Sequence, residues 1–360
     1  MGGGRPPLRG RGISRNPPNR FDTVSYVPDP DYDDAEGESP NPRTVFLKDK
    51  TRSIVTCNES PDVGFDASVN PYRGCEHGCA YCYARPYHEY LGFSAGLDFE
   101  TKILVKERAA ELLRRKLISP RWVPRPVGMS GVTDPYQPIE RQLRITRACI
   151  AVLAEFRNPV YIVTKNRLIT RDADLLSDLA GRAAASVMLS FSTLDSGLSR
   201  VLEPRTSTPQ RRLEAIESLA AAGVPVGVFV APVIPGLTDH EVPAIVAAAA
   251  RRGAGFAMCH LVRLPRGVAA LFEEWLDLHA PDRKSKVLNR IRETRGGTLD
   301  DPRFWKRVRG EGEFAGQISG LFEMACRKNG IRTECPVLST ASFRRPPRQR
   351  LLWEDAEGRP

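Results

Sequence analysis

The sequence has no apolar run long enough to cross a membrane. No stretch of about 18 consecutive apolar residues occurs along its 360 residues, so no transmembrane helix is expected. The opening MGGGRPPLRGRG also lacks the apolar segment of a secretory signal. We therefore expect a cytoplasmic protein without a membrane partner. Thiols stay reduced there, so the eight cysteines are expected to be metal ligands or buried residues rather than disulfides.

Acidic residues are fewer than basic ones, 43 against 53, which gives a formal net charge of +10. Much of the excess lies at the two ends, with arginines clustered between residues 5 and 20 and between residues 344 and 350. A basic surface attracts polyanions, so nucleic acid is one possible partner. The alternative is that both ends are solvated basic tails.

The chain divides into four regions by composition. Residues 1–45 are rich in Gly, Pro and Arg and then acidic, which predicts a tail that is disordered or draped on the core. Residues 46–264 are expected to form an α/β domain, residues 265–345 a helical extension, and residues 346–360 a second basic tail.

Six short strands separated by helical patterns are expected in the α/β domain. The first lies near Ala67–Tyr72, and the others are GMSGV, VYIVT, SVMLSFS, VGVFVAPVI and FAMCHLVRL, at 128–132, 160–164, 186–192, 226–234 and 256–264. Nearly continuous apolar strands are typical of a parallel sheet covered on both faces. Repeated βα units form either a barrel or a doubly wound sheet. No GxGxxG follows a strand, which disfavours a dinucleotide-binding fold.

Three cysteines lie within eight residues, in the stretch NPYRGCEHGCAYCYARP. They are Cys75, Cys79 and Cys82, and no fourth cysteine is near. Structural zinc sites and electron-transfer clusters usually take four ligands. Three thiolates on a 4Fe–4S cluster would instead leave one iron free to bind another molecule. The alternative is a non-catalytic zinc or iron–sulfur module on a nucleic-acid-binding protein, which would require a fourth protein ligand.

The spacing Cys-x3-Cys-x2-Cys, with Tyr81 before the third cysteine, resembles the motif of the radical S-adenosylmethionine (SAM) superfamily. Further stretches resemble a narrower branch, the DNA repair photolyase-like relatives of spore photoproduct lyase. They are VTDPYQPIE (132–140), VTKNRLITRD (163–172), LSFSTLD (189–195), LEPR (202–205) and APVIPGLTD (231–239). The resemblance spans most of residues 51–345. It implies a partial (β/α)6 TIM-like barrel with a C-terminal helical extension.

The resemblance also implies cofactors and a role for individual residues. Cys75, Cys79 and Cys82 would hold a 4Fe–4S cluster whose open iron binds SAM, and a donor such as flavodoxin or ferredoxin would supply the electron. SAM cleavage would release a 5′-deoxyadenosyl radical. Tyr81 would lie beside the adenine, Thr133 and Asp134 near the SAM amino group, and Lys165 and Ser192 on its carboxylate. Thr133, Asp134, Lys165 and Ser192 all follow strands, where barrel enzymes place their chemistry.

Other polar residues are expected to have structural roles. His77, between two of the cysteines, is expected to be a solvated loop residue, and Cys149 a core residue. Glu203 and Arg205 could pair near the barrel mouth or cap a loop. Strand alternation places only one of Cys259 and His260 inside the barrel, and the sequence does not say which.

The substrate is the least defined part of the sequence analysis. The resemblance and the positive charge favour nucleic acid, with a peptide or small metabolite as the alternative. The resemblance to spore photoproduct lyase implies a hydrogen-donating cysteine near the end of the second strand. Residues 129–134 contain no thiol. Efficient repair of spore photoproduct is therefore not expected, unless Cys259 faces inward.

Overall fold

The computed structural model describes residues 8–23, 42–129 and 131–346. The acidic stretch from Asp29 to Glu38 and nearly all of the predicted tail 346–360 lie outside these residues. None of the helices in the described ranges has the length and hydropathy that a membrane span needs.

The described residues contain ten strands, which form two sheets. They are β1 (Val45–Lys48), β2 (Val55–Cys57), β3 (Ala67–Val69), β4 (Tyr72–Arg73), β5 (Lys102–Val105), β6 (Val127–Met129), β7 (Val160–Thr164), β8 (Ala185–Phe191), β9 (Val226–Val233) and β10 (Phe256–Leu261).

The large sheet has the order β10-β9-β8-β7-β6-β3-β2. Strands β3, β6, β7, β8, β9 and β10 run parallel, and β2 adds to β3 in the antiparallel direction. Strands β1, β5 and β4 form a small separate sheet. The six parallel strands linked by helices confirm the predicted partial barrel. The strand predicted at 128–132 is shorter than expected, since β6 ends at Met129.

Alternation along the strands separates a helix-facing surface from the barrel interior. In β8, Val187, Leu189 and Phe191 belong to the main apolar core. The intervening Ser186 and Ser190 are also buried, so this strand is covered on both faces, as expected for a parallel sheet. Because side chains alternate in direction, these serines give the interior a polar lining.

Twelve α-helices accompany the strands in the described residues. They are α1 (Leu97–Thr101), α2 (Ala109–Ile118), α3 (Glu140–Leu143), α4 (Ile145–Phe156), α5 (Ala173–Ala180), α6 (Ser196–Leu202), α7 (Pro209–Ala221), α8 (Val242–Arg251), α9 (Val268–His279), α10 (Lys284–Glu293), α11 (Lys306–Arg309) and α12 (Glu313–Lys328).

The helix predicted near 139–156 is two helices, α3 and α4. They are separated at Arg144, whose φ of 53° lies in the left-handed region and interrupts the helix. The predicted apolar stripe of α4 is confirmed, because Ile145, Cys149, Val152 and Phe156 are all buried. The cysteine on that stripe is therefore a core residue, as expected.

The C-terminal helices cover the barrel in two places. Helices α9 and α10 form a second apolar core over the ends of β9 and β10, which includes Trp275, Phe272 and Tyr81. Helix α12 packs against α8 and extends the main core through Ile318 and Phe322. The α9–α10 pair therefore caps the end of the barrel at which the parallel strands finish.

Two irregular segments cross opposite ends of the barrel. Residues 8–23 lie over the loop that carries the three cysteines, with Gly12 N–H donating to Glu100 and Asn19 to the Glu89 carbonyl. Residues 331–345 cross the other end, where the Ser339 N–H donates to the Ala183 carbonyl. The described part of the N-terminal region is thus draped on the core, one of the two alternatives that its composition left open.

Candidate functional site

The three clustered cysteines lie on one tight loop after β4, residues 74–84, here called the cysteine loop. Cys75 and Cys79 are buried and Cys82 is partly buried. Two turns within the loop bring Gly78 N–H to the Cys75 carbonyl and Cys82 N–H to the Cys79 carbonyl. Gly78 has a φ of 65°, and a Cβ atom there would lie 2.6 Å from a Glu100 carboxylate oxygen. Only glycine fits both constraints.

A fully buried ion pair packs against the cysteine loop and stabilises it. Arg85 and Glu100 are 2.5 Å apart and have no exposed side-chain surface. Arg85 also donates to the carbonyl oxygens of Cys79 and Gly96, both at 2.9 Å. Burial raises the pKa of Glu100, and the charge of Arg85 opposes that effect. A buried pair of this kind fixes geometry, because removing either partner leaves an uncompensated charge.

The three thiols share a polar environment. Burial raises the pKa of all three thiols. The positive charge of Lys165 acts in the opposite direction on Cys79 and Cys82. Nowhere in the described ranges do three His, Cys, Asp or Glu side chains converge to hold one metal ion.

A group of polar side chains meets where β7 and β8 end, beside the cysteine loop; we call it the strand-end cluster. Its members are Tyr81, Lys165, Ser190, Ser192, Glu203 and Arg212. Lys165 Nζ donates to Ser190 Oγ at 2.7 Å and lies 4.0 Å from the Glu203 carboxylate. Tyr81 Oη lies 3.0 Å from Ser192 Oγ. The structure thus brings together Tyr81, Lys165 and Ser192, which the sequence placed in one site.

Glu203 is the centre of the strand-end cluster. It is buried and accepts hydrogen bonds from Tyr81, Ser192 and Arg212. Burial would raise its pKa, but the charges of Arg212 and Lys165 and these hydrogen bonds lower the pKa of Glu203 to about 2. Two cations and one anion leave a net charge of +1 in the cluster, which suits an anionic ligand group.

Asp134 connects the loop after β6 to the end of β7. Its carboxylate accepts from Tyr136 N and Lys165 N at 2.8 Å and from Thr164 Oγ1 at 2.7 Å, and His77 Nδ1 lies 3.4 Å away. A carboxylate offers about four acceptor positions, so these neighbours use its capacity. Burial would raise the pKa of Asp134, but His77 and the other donors lower it.

The neighbouring Thr133 is also buried and already bonded. Its hydroxyl donates to the Tyr72 carbonyl at 3.1 Å. Together with Asp134, it therefore fixes the loop after β6 against the start of the cysteine loop.

The expectation for His77 was wrong. His77 is not solvated; it is 1% exposed and lies between Asp134 and Asn166. Of the two alternatives left open for Glu203 and Arg205, the structure does not show the pairing: Glu203 pairs with Arg212, and the carboxylate partner of Arg205 is Glu76 at 3.4 Å.

The alternation along β10 is now resolved. Cys259 is in register with Val230 and packs on the helix-side core, whereas His260 contacts the ring of Phe229 in the neighbouring position. His260 therefore faces the interior, where burial lowers its pKa to about 4. Cys259 points toward the helices and away from the interior.

The sequence analysis did not identify a second buried ionic network that supports the loop after β6. Arg171 bridges Glu140 and Asp172, both at 2.8 Å, and Tyr72 and Tyr136 donate to these carboxylates. Arg171 and Asp172 lie in the stretch LITRD. The sequence analysis noted that stretch only for its resemblance to the photolyase-like relatives. Pairing over such distances along the chain leaves no periodic signal in sequence.

Comparison with known proteins gives a match over half of the chain. The family model described as "Radical SAM superfamily" matches residues 69–249. "Uncharacterized protein Rv2578c" of Mycobacterium tuberculosis (strain ATCC 25618 / H37Rv) is 43% identical over 175 residues, 49% of this chain and 52% of that protein. The match thus spans about half the length of this relative. "Radical SAM Nalpha-GlyT isomerase" of Pseudomonas phage M6 is 25% identical over 225 residues, 61% of this chain and 43% of that protein.

Among solved structures the chain is similar to "Spore photoproduct lyase complexed with dinucleoside spore photoproduct". The TM-score is 0.55 at 14% identity, and the match covers 80% of this chain and 81% of that one. At this identity the likeness is one of fold. It extends beyond the barrel strands, since it includes most of the described residues.

Proposed function

We propose that this chain, which belongs to the radical SAM superfamily, is an enzyme of radical chemistry that holds a 4Fe–4S cluster on Cys75, Cys79 and Cys82. We further propose that SAM binds at the strand-end cluster and that the substrate is nucleic acid. The observation that carries this proposal is the position of three clustered thiols, two of them buried and one partly buried, beside a net positive polar cluster at the carboxyl ends of the strands.

The donor set suits an iron–sulfur cluster. Thiolates are the usual cluster ligands, and the cysteine loop brings three of them within eight residues. Lys165 supplies positive charge near two of the sulfurs. Each thiolate would bind a different iron, so the sulfurs need not converge on a single point as in a zinc site.

The strand-end cluster suits the methionine part of SAM. Lys165 and Ser192 would donate to its carboxylate, which the net charge of +1 favours. Tyr81, fixed by Glu203 and Ser192, would lie beside the adenine. Thr133 and Asp134 would lie near the amino group. Since the Asp134 carboxylate already has four neighbours, Asp134 would position the loop after β6.

When bound, the cluster and SAM together would supply a carbon-centred radical able to abstract hydrogen from the substrate. The protein must orient the reactants and exclude water from them. The α9–α10 cap covers the end of the barrel where the reaction would occur, and residues 8–23 cover the cysteine loop. The polar interior, with His260 and the serines of β8, would face the substrate.

Nucleic acid is the substrate class with the most support. The net charge is +10, and a protein of similar fold is solved with a dinucleoside substrate. A peptide or small metabolite is the alternative. SAM cleavage by the reconstituted enzyme should accelerate with single-stranded DNA and not with a peptide mixture; acceleration by peptides alone would reverse the assignment.

The test of the reaction class is release of 5′-deoxyadenosine. Full-length protein reconstituted anaerobically, reduced and mixed with SAM should release it, and Cys79→Ala should not. Cys57→Ala is the matched control, because Cys57 is exposed and far along the chain from the cysteine loop. SAM cleavage that survives Cys79→Ala, or its absence from the wild type, would contradict the proposal.

A further inference from the structure

An open pocket of ≈ 430 Å³ lies on the outer side of the cysteine loop, opposite the strand-end cluster. It is lined by Arg11, Arg43, Arg205, Glu76 and Phe46 among others. Three arginines against one glutamate give this pocket a net charge of +2. The Phe46 ring is 42% exposed.

Two of these guanidinium groups converge on one oxygen atom. Arg11 Nη2 lies 3.2 Å and Arg205 Nη1 lies 3.4 Å from Thr44 Oγ1. A single hydroxyl oxygen therefore lies between two positive charges. Like charges brought this close are unfavourable unless an anion compensates them.

Among the described residues, Arg11 forms no direct ion pair with a carboxylate; Glu100 and Glu76 act on its charge from a greater distance. Arg11 is only 7% exposed, and its Nη groups donate to the Glu100 and Pro42 carbonyls and the Thr44 hydroxyl. Its Nε, although buried, has no hydrogen-bond partner there. Burial and the charge of Arg205 lower the pKa of Arg11, and the charges of Glu100 and Glu76 offset part of that effect. A buried donor without a partner calls for a ligand.

The carboxylate that lines the pocket in the described residues, Glu76, already accepts another hydrogen bond. Glu76 accepts from Ile139 N at 2.8 Å, and its contact with Arg205 is longer, at 3.4 Å. Within the part of the chain that the structure describes, the Arg205 side chain otherwise donates to the Gly10 carbonyl and the Thr44 hydroxyl. The pocket therefore keeps an excess of guanidinium donors.

We propose that this pocket binds a phosphate group of a nucleic-acid strand, with Arg11, Arg43 and Arg205 as donors and the Phe46 ring as a platform for the adjoining base. Guanidinium groups match phosphate oxygens in geometry and charge, and exposed aromatic rings stack on bases. The identification of the strand rests on the proposed function, whereas the phosphate chemistry rests on the pocket alone. Glu76 follows Cys75, so the strand would be anchored directly beside the cysteine loop.

The test uses the reconstituted full-length protein and a fluorescein-labelled single strand of ten thymidines, with binding followed by anisotropy. Arg43→Gln, at an exposed position, should weaken binding about two- to fivefold. Arg11→Gln should weaken it about tenfold. Each should reduce the slope of log K against log salt by about one, and pyrophosphate should compete with the strand.

The matched control is Arg121→Gln, which removes the same charge from an exposed position before β6, at the other end of the barrel. It should leave the affinity unchanged. If Arg121→Gln and Arg43→Gln weaken binding equally, the attraction is nonspecific and the pocket proposal fails. SAM cleavage by the wild type is measured separately, so that failure of the reaction class is not confused with failure of the pocket.

An acidic stretch of this chain, Asp29 to Glu38, ends four residues before Pro42, which lines the pocket. Its carboxylates are therefore the competing anions that the test must distinguish from an external phosphate. The discriminating variant replaces these six carboxylates by amides. If the pocket serves an external phosphate, the wild type binds the strand through Arg43. Arg43-dependent binding that emerges only in the amide variant would show instead that the pocket holds this chain's own carboxylates.

Discussion

Replacing Glu203 by Gln removes the one negative charge from the strand-end cluster and leaves Lys165 and Arg212 uncompensated. The pKa of Glu203 is lowered from its ordinary 4.5 to about 2, which corresponds to about 3 kcal/mol of folding stability at pH 7. Breaking a buried ion pair costs about 3–5 kcal/mol, in agreement with that value. We expect Glu203→Gln to lower the free energy of unfolding by about 3 kcal/mol.

The measurement is urea denaturation of metal-free protein followed by circular dichroism at pH 7 and pH 3. Since the folded pKa lies below the unfolded one, this stabilisation is complete above pH 4.5 and is lost as pH falls toward 2. The difference between wild type and variant should therefore shrink at pH 3 to less than half. Glu217→Gln, at an exposed position of α7, should cost less than about 1 kcal/mol. A small or pH-independent effect of Glu203→Gln would refute the reasoning.

Three further predictions follow from the site. Lys165→Ala and Ser192→Ala should each keep the iron content but weaken SAM binding about tenfold or more, because each removes a hydrogen bond to a charged group; unchanged affinity by equilibrium dialysis would remove both from the SAM site. Gly12→Ala places a Cβ 1.7 Å from the Gly78 carbonyl oxygen, so residues 8–23 should detach and become sensitive to trypsin. Gly64→Ala is the control, because nothing lies within 4 Å of a Cβ there; equal trypsin sensitivity of the two variants would contradict the prediction. Incubation with the spore photoproduct lesion should release little thymine, because Cys259 faces the helices; efficient repair that depends on Cys259 would reverse that conclusion.

The strands were predictable because they bury apolar residues on both faces. VYIVT was expected at 160–164 and forms β7 over those residues. SVMLSFS at 186–192 differs from β8 by one residue at each end. The Cys-x3-Cys-x2-Cys spacing was visible as a short-range pattern, whereas the strand-end residues were identified through the resemblance to the radical SAM superfamily.

The supports of the site were not predictable in the same way. Arg85 and Glu100 lie 15 residues apart, and the Arg171 network joins β4, α3 and the segment after β7; neither has a period or a motif of its own. The N-terminal segment was also difficult to predict, because hydrogen bonds such as that of the Gly12 N–H hold it and Ile13 is its buried apolar residue in the second core. His77 looked solvated because its partner Asp134 lies 57 residues further along the chain.

The central claim, a 4Fe–4S cluster with one iron open to SAM, is tested most directly by electron paramagnetic resonance of the reduced protein with and without SAM. The account predicts about four irons per chain and a cluster signal that changes when SAM is added. Alanine at Cys75, Cys79 or Cys82 should abolish that signal, and Cys57→Ala should keep it. Stoichiometric zinc in place of iron, or a cluster signal that SAM does not alter, would contradict the account.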